Sequence, residues 1–207
     1  MTATQPVEAT TIEMWFDPVC PWAWMTSRWL MEVERVRPVT VTWSQMSLSM
    51  LNEGRDLSDE YAELMERAWG PVRVIAAARA LRGDVITKPL YDALGERIHL
   101  GGEEDPAVAI PAALAALNLP PELAAAASDP TYDASIRQSH DRAVALVGDD
   151  VGTPVIAVGE VAFFGPVVSP APTGEAAGRL WDGCVLVAGT DGFFELKRTR
   201  TRDPILS

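Results

Sequence analysis

Residues 11–24 have the sequence TIEMWFDPVCPWAW, in which a strand pattern runs directly into the start of a helix. Apolar residues occupy positions 12, 14 and 16 and alternate with other residues, which is the period of a β-strand. Pro18 ends this strand, and Pro21 suits the first position of a helix because no backbone N–H is needed there. Cys20 is therefore predicted at the amino end of the helix.

The segments that follow extend this pattern into a βαβ unit. Apolar residues recur at helical spacing from 22 to 36, and residues 39–46 alternate again as a second strand. Two strands that are joined through a helix are expected to lie parallel in one sheet. From 57 to 147 the composition becomes rich in Ala, Leu and Glu, which predicts four or five helices and no strand.

The last part of the chain returns to strand patterns. Residues 155–158 and 161–164 are joined by Gly159-Glu160, which predicts a β-hairpin, and residues 174–188 predict a last helix. This order of elements indicates an α/β fold in which a mixed sheet is interrupted by a helical insertion. We therefore divide the chain into three parts: a βαβ part at 10–56, a helical subdomain at 57–147, and a ββα part with a tail at 148–207.

The composition limits the classes of partner. A formal net charge of −12 over 207 residues argues against nucleic acid and anionic membranes. Residues 1–11 have no basic start and no apolar run, so no signal peptide is predicted, and no window approaches the roughly 20 apolar residues of a membrane span. The two cysteines, Cys20 and Cys184, are too few for a disulfide framework. We expect a soluble cytoplasmic protein.

The position of Cys20 predicts a reactive thiol. At the amino end of a helix, the free N–H groups of Trp22 and Ala23 would point toward the sulfur and favour the thiolate by about 0.3–1 kcal/mol. Reactive cysteines in such positions have pKa values of about 3.5–7.5, so Cys20 is predicted to act as a nucleophile. The alternative is a small apolar residue that fills the helix start. Cys184 lies among apolar residues of the last predicted helix, where we expect it to pack.

Several stretches of the chain carry a family resemblance. The DsbA-like family of actinobacteria, and within it the mycothiol-dependent reductase branch that includes a nitroreductase, is similar to this chain at residues 15–24 (WFDPVCPWAW), 68–73, 151–154 (VGTP), 162–166 and 193–201 (FFELKRTRT). The resemblance implies a thioredoxin-like fold of the DsbA type with an inserted all-helical subdomain.

The resemblance also implies how a thiol would bind. Thr153-Pro154 fills the position of a cis peptide bond that lies opposite the nucleophile Cys20 in the family. Pro21, Trp22, Thr153 and Pro154 would then bind mycothiol or another low-molecular-weight thiol, which reacts with an electrophile or a disulfide. The resemblance is also compatible with a homodimer.

Ala23 departs from the family members that have two active-site thiols, because it stands where they have a second Cys. A mixed disulfide on Cys20 must therefore be resolved by an external thiol, by a substrate thiol or by Cys184. The route through an external low-molecular-weight thiol predicts a monothiol oxidoreductase. Two alternatives remain open. The protein could use the same groove as a transferase or isomerase that resembles the kappa-class glutathione transferases, or it could be a non-catalytic module that binds a thiol or a peptide.

Two further residues are candidates for the substrate pocket. Asn52 and His99 lie in regions that face the active-site cleft in the family. Each has a simpler alternative, because Asn52 is also a natural loop residue and His99 could make a structural hydrogen bond. We expect His140 to form a local surface pair with Asp141.

Other polar clusters predict little chemistry. The two histidines have no Cys or carboxylate pair at ligand spacing, which argues against a metal site. A basic cluster near the end of the chain could meet a carboxylate of a thiol cofactor, but a solvated tail is the commoner arrangement. Its members are Lys197, Arg198, Arg200 and Arg202.

Overall fold

The computed structural model describes residues 9–206. Residues 1–8, which make up most of the segment where no signal peptide was predicted, lie outside the described residues, as does Ser207. Four strands form one sheet in the order β2-β1-β3-β4. The strands are β1 (Thr10–Phe16), β2 (Val39–Gln45), β3 (Val155–Val158) and β4 (Val161–Phe164). The predicted parallel pairing of β1 with β2 and the predicted β3–β4 hairpin are both confirmed.

Helices surround this sheet, and every element described between β2 and β3 is helical. They are α1 (Pro21–Val36), α2 (Leu48–Leu51), α3 (Asp59–Arg82), α4 (Thr87–Gly95), α5 (Pro106–Ala116), α6 (Asp133–Val147) and α7 (Gly174–Ala188). A π-helical turn at Glu96–Leu100 follows α4 directly, and short 3-10 helices lie at Asp84–Ile86, Pro121–Ser128 and Pro130–Tyr132. The sequence did not predict α2, a single turn that begins where the Ser47 hydroxyl accepts the N–H of Met50.

Strand β1 is central and is covered on both faces. Ile12, Met14 and Phe16 join the main core with α1, as the alternation predicted. Trp15, on the other face, is only 1% exposed and packs against Met46, Ala143 and Val155. Because α6 supplies Ala143, this helix covers the face of the sheet opposite α1. The carboxyl end of β1 therefore lies in the protein interior, where α1 and α6 exclude water from the two faces of the sheet.

A close contact joins α1 to α4. Gly95, the last residue of α4, lies so near the indole of Trp24 that a Cβ atom there would come within 2.1 Å of the ring carbon Cζ3. Trp24 also packs edge-on against Tyr91, with ring centroids 5.7 Å apart. The helical segment is thereby held against the helix that begins at Cys20.

Helix α7 closes the other side of α1. The indole N–H of Trp29 donates to the carbonyl oxygen of Ala177 at 3.1 Å. At the end of α1, the Arg37 guanidinium pairs with both Glu175 and Asp182 of α7. Among residues 9–206, no helix has the length and apolar character needed to cross a membrane.

Candidate active site around Cys20

Cys20 occupies the N-cap of α1, as predicted. Its backbone is extended (φ −80°, ψ 112°), and Pro21 takes the first helical turn. The backbone N–H of Ala23 donates to the Sγ atom of Cys20 at 3.4 Å. Ala23, the fourth residue of the motif at positions 20–23, therefore contributes a backbone donor to the sulfur but carries no thiol.

The fold brings Thr153 against Cys20 from far along the chain. The thiol of Cys20 donates to the carbonyl oxygen of Thr153 at 3.4 Å. The Thr153–Pro154 peptide bond is cis, and both residues are buried. The hydroxyl of Thr153 donates to the carbonyl oxygen of Trp15 at 3.4 Å, which ties this turn to β1. The carbonyl of residue 153 therefore faces the sulfur directly.

The prediction of a low thiol pKa is wrong for this arrangement. Cys20 is only 5% exposed, and its burial raises the pKa of the thiol to about 12. The N–H groups of Ala23 and Trp22 lower the pKa, as the sequence predicted, but desolvation is the larger effect. The sequence places the donors correctly, whereas the loss of water comes from segments that pack over the sulfur.

Asp17 is a fully buried acid beside this site that the sequence analysis missed. Its Oδ1 atom accepts the N–H of Val19 at 2.9 Å, and its Oδ2 atom accepts the N–H of Leu48 at 2.7 Å. Burial raises the pKa of the carboxyl to about 7 despite these two donors. The signal that could have revealed it is an acidic residue directly after an apolar strand and three residues before the cysteine.

Trp22 is half-buried in the first turn of α1, where it meets the end of the chain. The Cζ atom of Arg200 lies 4.9 Å from the centroid of the Trp22 ring. Arg200, Lys197, Arg198 and Arg202 are all exposed, as expected of a solvated tail. Arg200 differs from the other three in that its guanidinium also stacks on the Trp22 ring.

Asn52 and Tyr61 lie together at the entrance to the helical segment. Asn52 follows α2, and its Nδ2 atom donates to the carbonyl oxygen of Leu48 at 2.8 Å. Burial raises the pKa of the Tyr61 phenol. Tyr61 lines the same cavity as Val19, the residue before Cys20. The sequence analysis did not single out Tyr61 as a site residue.

His99 is buried behind the loop that leads to Cys20. Its Nε2 atom lies 2.9 Å from the carbonyl oxygen of Pro18, so this nitrogen carries the proton. Its ring is 5.5 Å from that of Trp24, and burial lowers the pKa of His99 to about 4. A neutral imidazole at neutral pH therefore holds the backbone two residues before the cysteine.

His140 is not the surface residue that the sequence analysis expected. It is only 5% exposed, and its Nδ1 atom accepts the N–H of Ser47 at 3.3 Å. Burial lowers the pKa of His140. The neighbouring Asp141 misled the interpretation, because α6 turns residues 140 and 141 to different faces.

A cavity of about 430 Å³ opens beside the loop before Cys20, between the start of α3 and the turn after α4. Its lining includes Val19, Tyr61, Leu64, Arg67 and Ile98. Cys184 lies elsewhere, half-buried on α7 against the main core. Within residues 9–206, no group of three or more His, Cys, Asp or Glu side chains is arranged to hold a metal ion.

Solved structures with the same fold confirm the predicted fold class. The cytosolic disulfide reductase DsbM from Pseudomonas aeruginosa superposes with a TM-score of 0.53 at 16% identity, over 86% of this chain and 100% of that one. The oxidoreductase DsbA from Xylella fastidiosa superposes with a TM-score of 0.54 at 18% identity, over 87% of this chain and 86% of that one. Both are thioredoxin-fold proteins of the DsbA type.

Sequence relatives extend this result from the fold to the family. The uncharacterized protein Rv2286c of Mycobacterium tuberculosis is 32% identical over 202 residues, which cover 93% of this chain and 83% of that protein. The family model described as "Rv2466c-like: Mycothiol-dependent nitroreductase Rv2466c" matches residues 19–198, a span that begins one residue before Cys20 and ends within the basic cluster. With so much of its length matched, the chain belongs to the Rv2466c-like family of mycothiol-dependent nitroreductases.

Proposed function

We propose that the protein is a thiol-dependent oxidoreductase that works through Cys20 alone, with mycothiol or another low-molecular-weight thiol as co-substrate. The observation that carries this proposal is the geometry of the sulfur. Cys20 lies at a helix amino end, 3.4 Å from the carbonyl oxygen of Thr153, with Ala23 in place of a second thiol. A family described as mycothiol-dependent supports the choice of co-substrate.

The proposed reaction needs one protein sulfur and balances as two exchanges. The Cys20 thiolate attacks the co-substrate sulfur of a mixed disulfide, the S–S bond breaks, and the substrate sulfur leaves as a thiolate that takes up a proton. Cys20 is then joined to the co-substrate by a new disulfide. A second co-substrate molecule attacks as a thiolate, releases the Cys20 thiolate, and departs as the co-substrate disulfide.

The residues around the sulfur divide into two proposed groups. Pro21, Trp22 and the Thr153-Pro154 turn form the thiol-binding side, because the carbonyl of residue 153 already accepts a hydrogen bond from a sulfur there. The cavity beside Val19 is the proposed pocket for the substrate that is reduced, an electrophile or a disulfide, here called the acceptor.

Asn52 and His99 have different proposed roles at that pocket. Asn52 is proposed to contact the acceptor at the edge of this cavity, whose lining includes Tyr61. His99 acts indirectly, since its described partner is the backbone of Pro18.

Burial of the sulfur sets a condition on this mechanism. Because Cys20 is only 5% exposed, the side chains over it must move aside before a disulfide can reach it. The same burial excludes water, which protects a mixed disulfide from side reactions. A thiol co-substrate of this kind is kept reduced in the cytoplasm, which is where we propose that the protein acts.

Intact mass measurement tests the proposal. The protein is incubated with mycothiol disulfide, and Cys20→Ser and Cys184→Ser are treated in parallel. We expect one mycothiol adduct on the unmodified protein and on Cys184→Ser, none on Cys20→Ser, and catalytic removal of the adduct by free mycothiol. Conjugation of mycothiol to an electrophile without any adduct would favour a transferase, and no reaction in either assay would favour a binding module.

A further inference from the structure

The segment after α7 returns to the active site. Residues 189–206, here called the C-terminal strap, lie outside the described helices and strands. Ser169 ties this strap down, since its hydroxyl donates to the carbonyl oxygen of Asp203 at 3.0 Å and accepts the N–H of Ile205 at 2.8 Å. Leu206 packs against the main core. The strap is therefore anchored on both sides of its basic residues, by α7 and by Ser169.

Arg200 is the residue of the strap that meets the site. Its guanidinium lies over the ring of Trp22, with Cζ 4.9 Å from the ring centroid, and such stacking is attractive because the face of an indole is negative. Trp22 is two residues after Cys20, in the first turn of α1. The stacking thus holds a positive charge at the helix end that carries the sulfur.

Within the part of the chain that the structure describes, this guanidinium forms no salt bridge to an anion. Seven other arginines form salt bridges to Asp or Glu, but none of the carboxylates in residues 9–206 pairs with Arg200. An arginine that is paired with a carboxylate would present little net charge to its surroundings. Arg200 keeps its full charge available to a neighbouring group.

Of the titratable groups around Cys20 in residues 9–206, Arg200 carries the charge that favours the thiolate. Asp17, at the end of β1, disfavours a negative sulfur, and Arg200 favours it. Tyr61 of α3 and Tyr91 of α4 both respond to charge on Cys20, and the pKa values of both phenols are raised, so both are neutral at neutral pH.

We propose that Arg200 is the positioning residue that stabilises the Cys20 thiolate through its charge, held over the site by the stacking on Trp22. The inference rests on the proposed function, in which this thiolate is both the attacking group and the group released in the second exchange. A single cation near a largely buried sulfur raises the fraction of thiolate by a modest factor. The C-terminal strap thereby forms part of the active site, although its basic residues come about 180 positions after Cys20 in the sequence.

Alkylation of Cys20 by iodoacetamide tests this proposal without any thiol co-substrate. The parent protein carries Cys184→Ser, so that Cys20 is the only thiol, and rates are measured from about pH 6 to pH 10. We expect Arg200→Gln to slow alkylation about 2- to 5-fold at every pH below the thiol pKa. Arg200→Lys keeps the charge and should stay within about 2-fold of the parent. Arg202→Gln, an equal charge change at another exposed position of the same strap, should match the parent, because only Arg200 of these two is described as stacked on Trp22.

Three results would overturn the proposal: a parental rate for Arg200→Gln, an equal loss in Arg200→Lys, or an equal loss in Arg202→Gln. Added salt gives a second test on the parent itself, because an exposed cation is screened within about 3 Å at 1 M ionic strength. The parent should lose about 2-fold or more in rate as the salt rises to that level, and Arg200→Gln should lose less. Equal salt dependence in both would also contradict the proposal. Failure of the proposed function appears separately, as the absence of a mycothiol adduct.

Discussion

Asp17 lies buried three residues before Cys20, and its charge raises the pKa of the Cys20 thiol. Asp17 is fully buried and Cys20 is only 5% exposed, so burial disfavours the charged form of each acid. The thiol ionises most easily when the carboxyl is protonated. The reactivity of this site is therefore coupled to a residue that makes no bond to the substrate in the proposed exchange.

Replacing Asp17 by Asn should make Cys20 more reactive. The amide has the same shape but no charge, so the thiolate loses a neighbouring negative group. We expect alkylation of Cys20 by iodoacetamide at neutral pH to become about 3- to 10-fold faster. Asp56→Asn, at an exposed position, is the control and should leave the rate unchanged. An unchanged rate in Asp17→Asn would show that the carboxyl charge does not reach the sulfur.

The same substitution should alter the dependence of stability on pH. The pKa of Asp17 rises from 3.8 to about 7 on folding, so the folded protein holds this proton more tightly than the unfolded chain. The stabilisation is complete below pH 3.8 and is lost as the pH rises to 7, at about 1.4 kcal/mol per pH unit. Asp17→Asn lacks this loss.

Urea unfolding of both proteins from pH 4 to pH 7 measures the effect. The free energy of unfolding of the unmodified protein should fall relative to that of Asp17→Asn as the pH rises. The buried histidines contribute in the opposite direction, because their lowered pKa values favour folding at higher pH, but they are common to both proteins and cancel in the difference. A difference that is constant with pH would contradict the raised pKa of Asp17.

Replacing Ala23 by Cys should convert the site to a dithiol. Position 23 lies one helical turn after Cys20, and its backbone N–H already contacts the sulfur. Residues at this spacing are close enough for a disulfide. We expect an internal disulfide after oxidation, seen as the loss of two hydrogens in the intact mass, and a mycothiol adduct that no longer accumulates. Ala23→Ser is the matched control and should accumulate the adduct as the unmodified protein does.

Gly95→Ala should destabilise the contact between α1 and α4. An added methyl would lie 2.1 Å from Cζ3 of the buried Trp24, so the indole or the helix must move. Overpacking of this kind typically costs about 1–3 kcal/mol, measured as the free energy of unfolding in urea. Gly183→Ala in α7 is the control, because no atom lies within 4 Å of the added methyl, and it should stabilise by up to about 1 kcal/mol. Equal stability of Gly95→Ala and the unmodified protein would refute the close packing.

The sequence by itself determined the features that depend on near neighbours in the chain. The hairpin at 155–164 and the bounds of the last helix at 174–188 agree with the structure residue for residue. The N-cap position of Cys20 also followed from the residues beside it. Strand alternation, helical spacing and capping act over a few residues, so a local pattern is sufficient to predict them.

Only the tertiary structure decided how the candidate site behaves. Burial raises the pKa values of Cys20 and Asp17, and His140 lies inside the protein. Segments distant in sequence produce each of these effects. The contact of Arg200 with Trp22 likewise joins the two ends of the chain. Desolvation and long-range charge depend on what packs against a group in three dimensions, and a pattern of neighbouring residues contains no record of that.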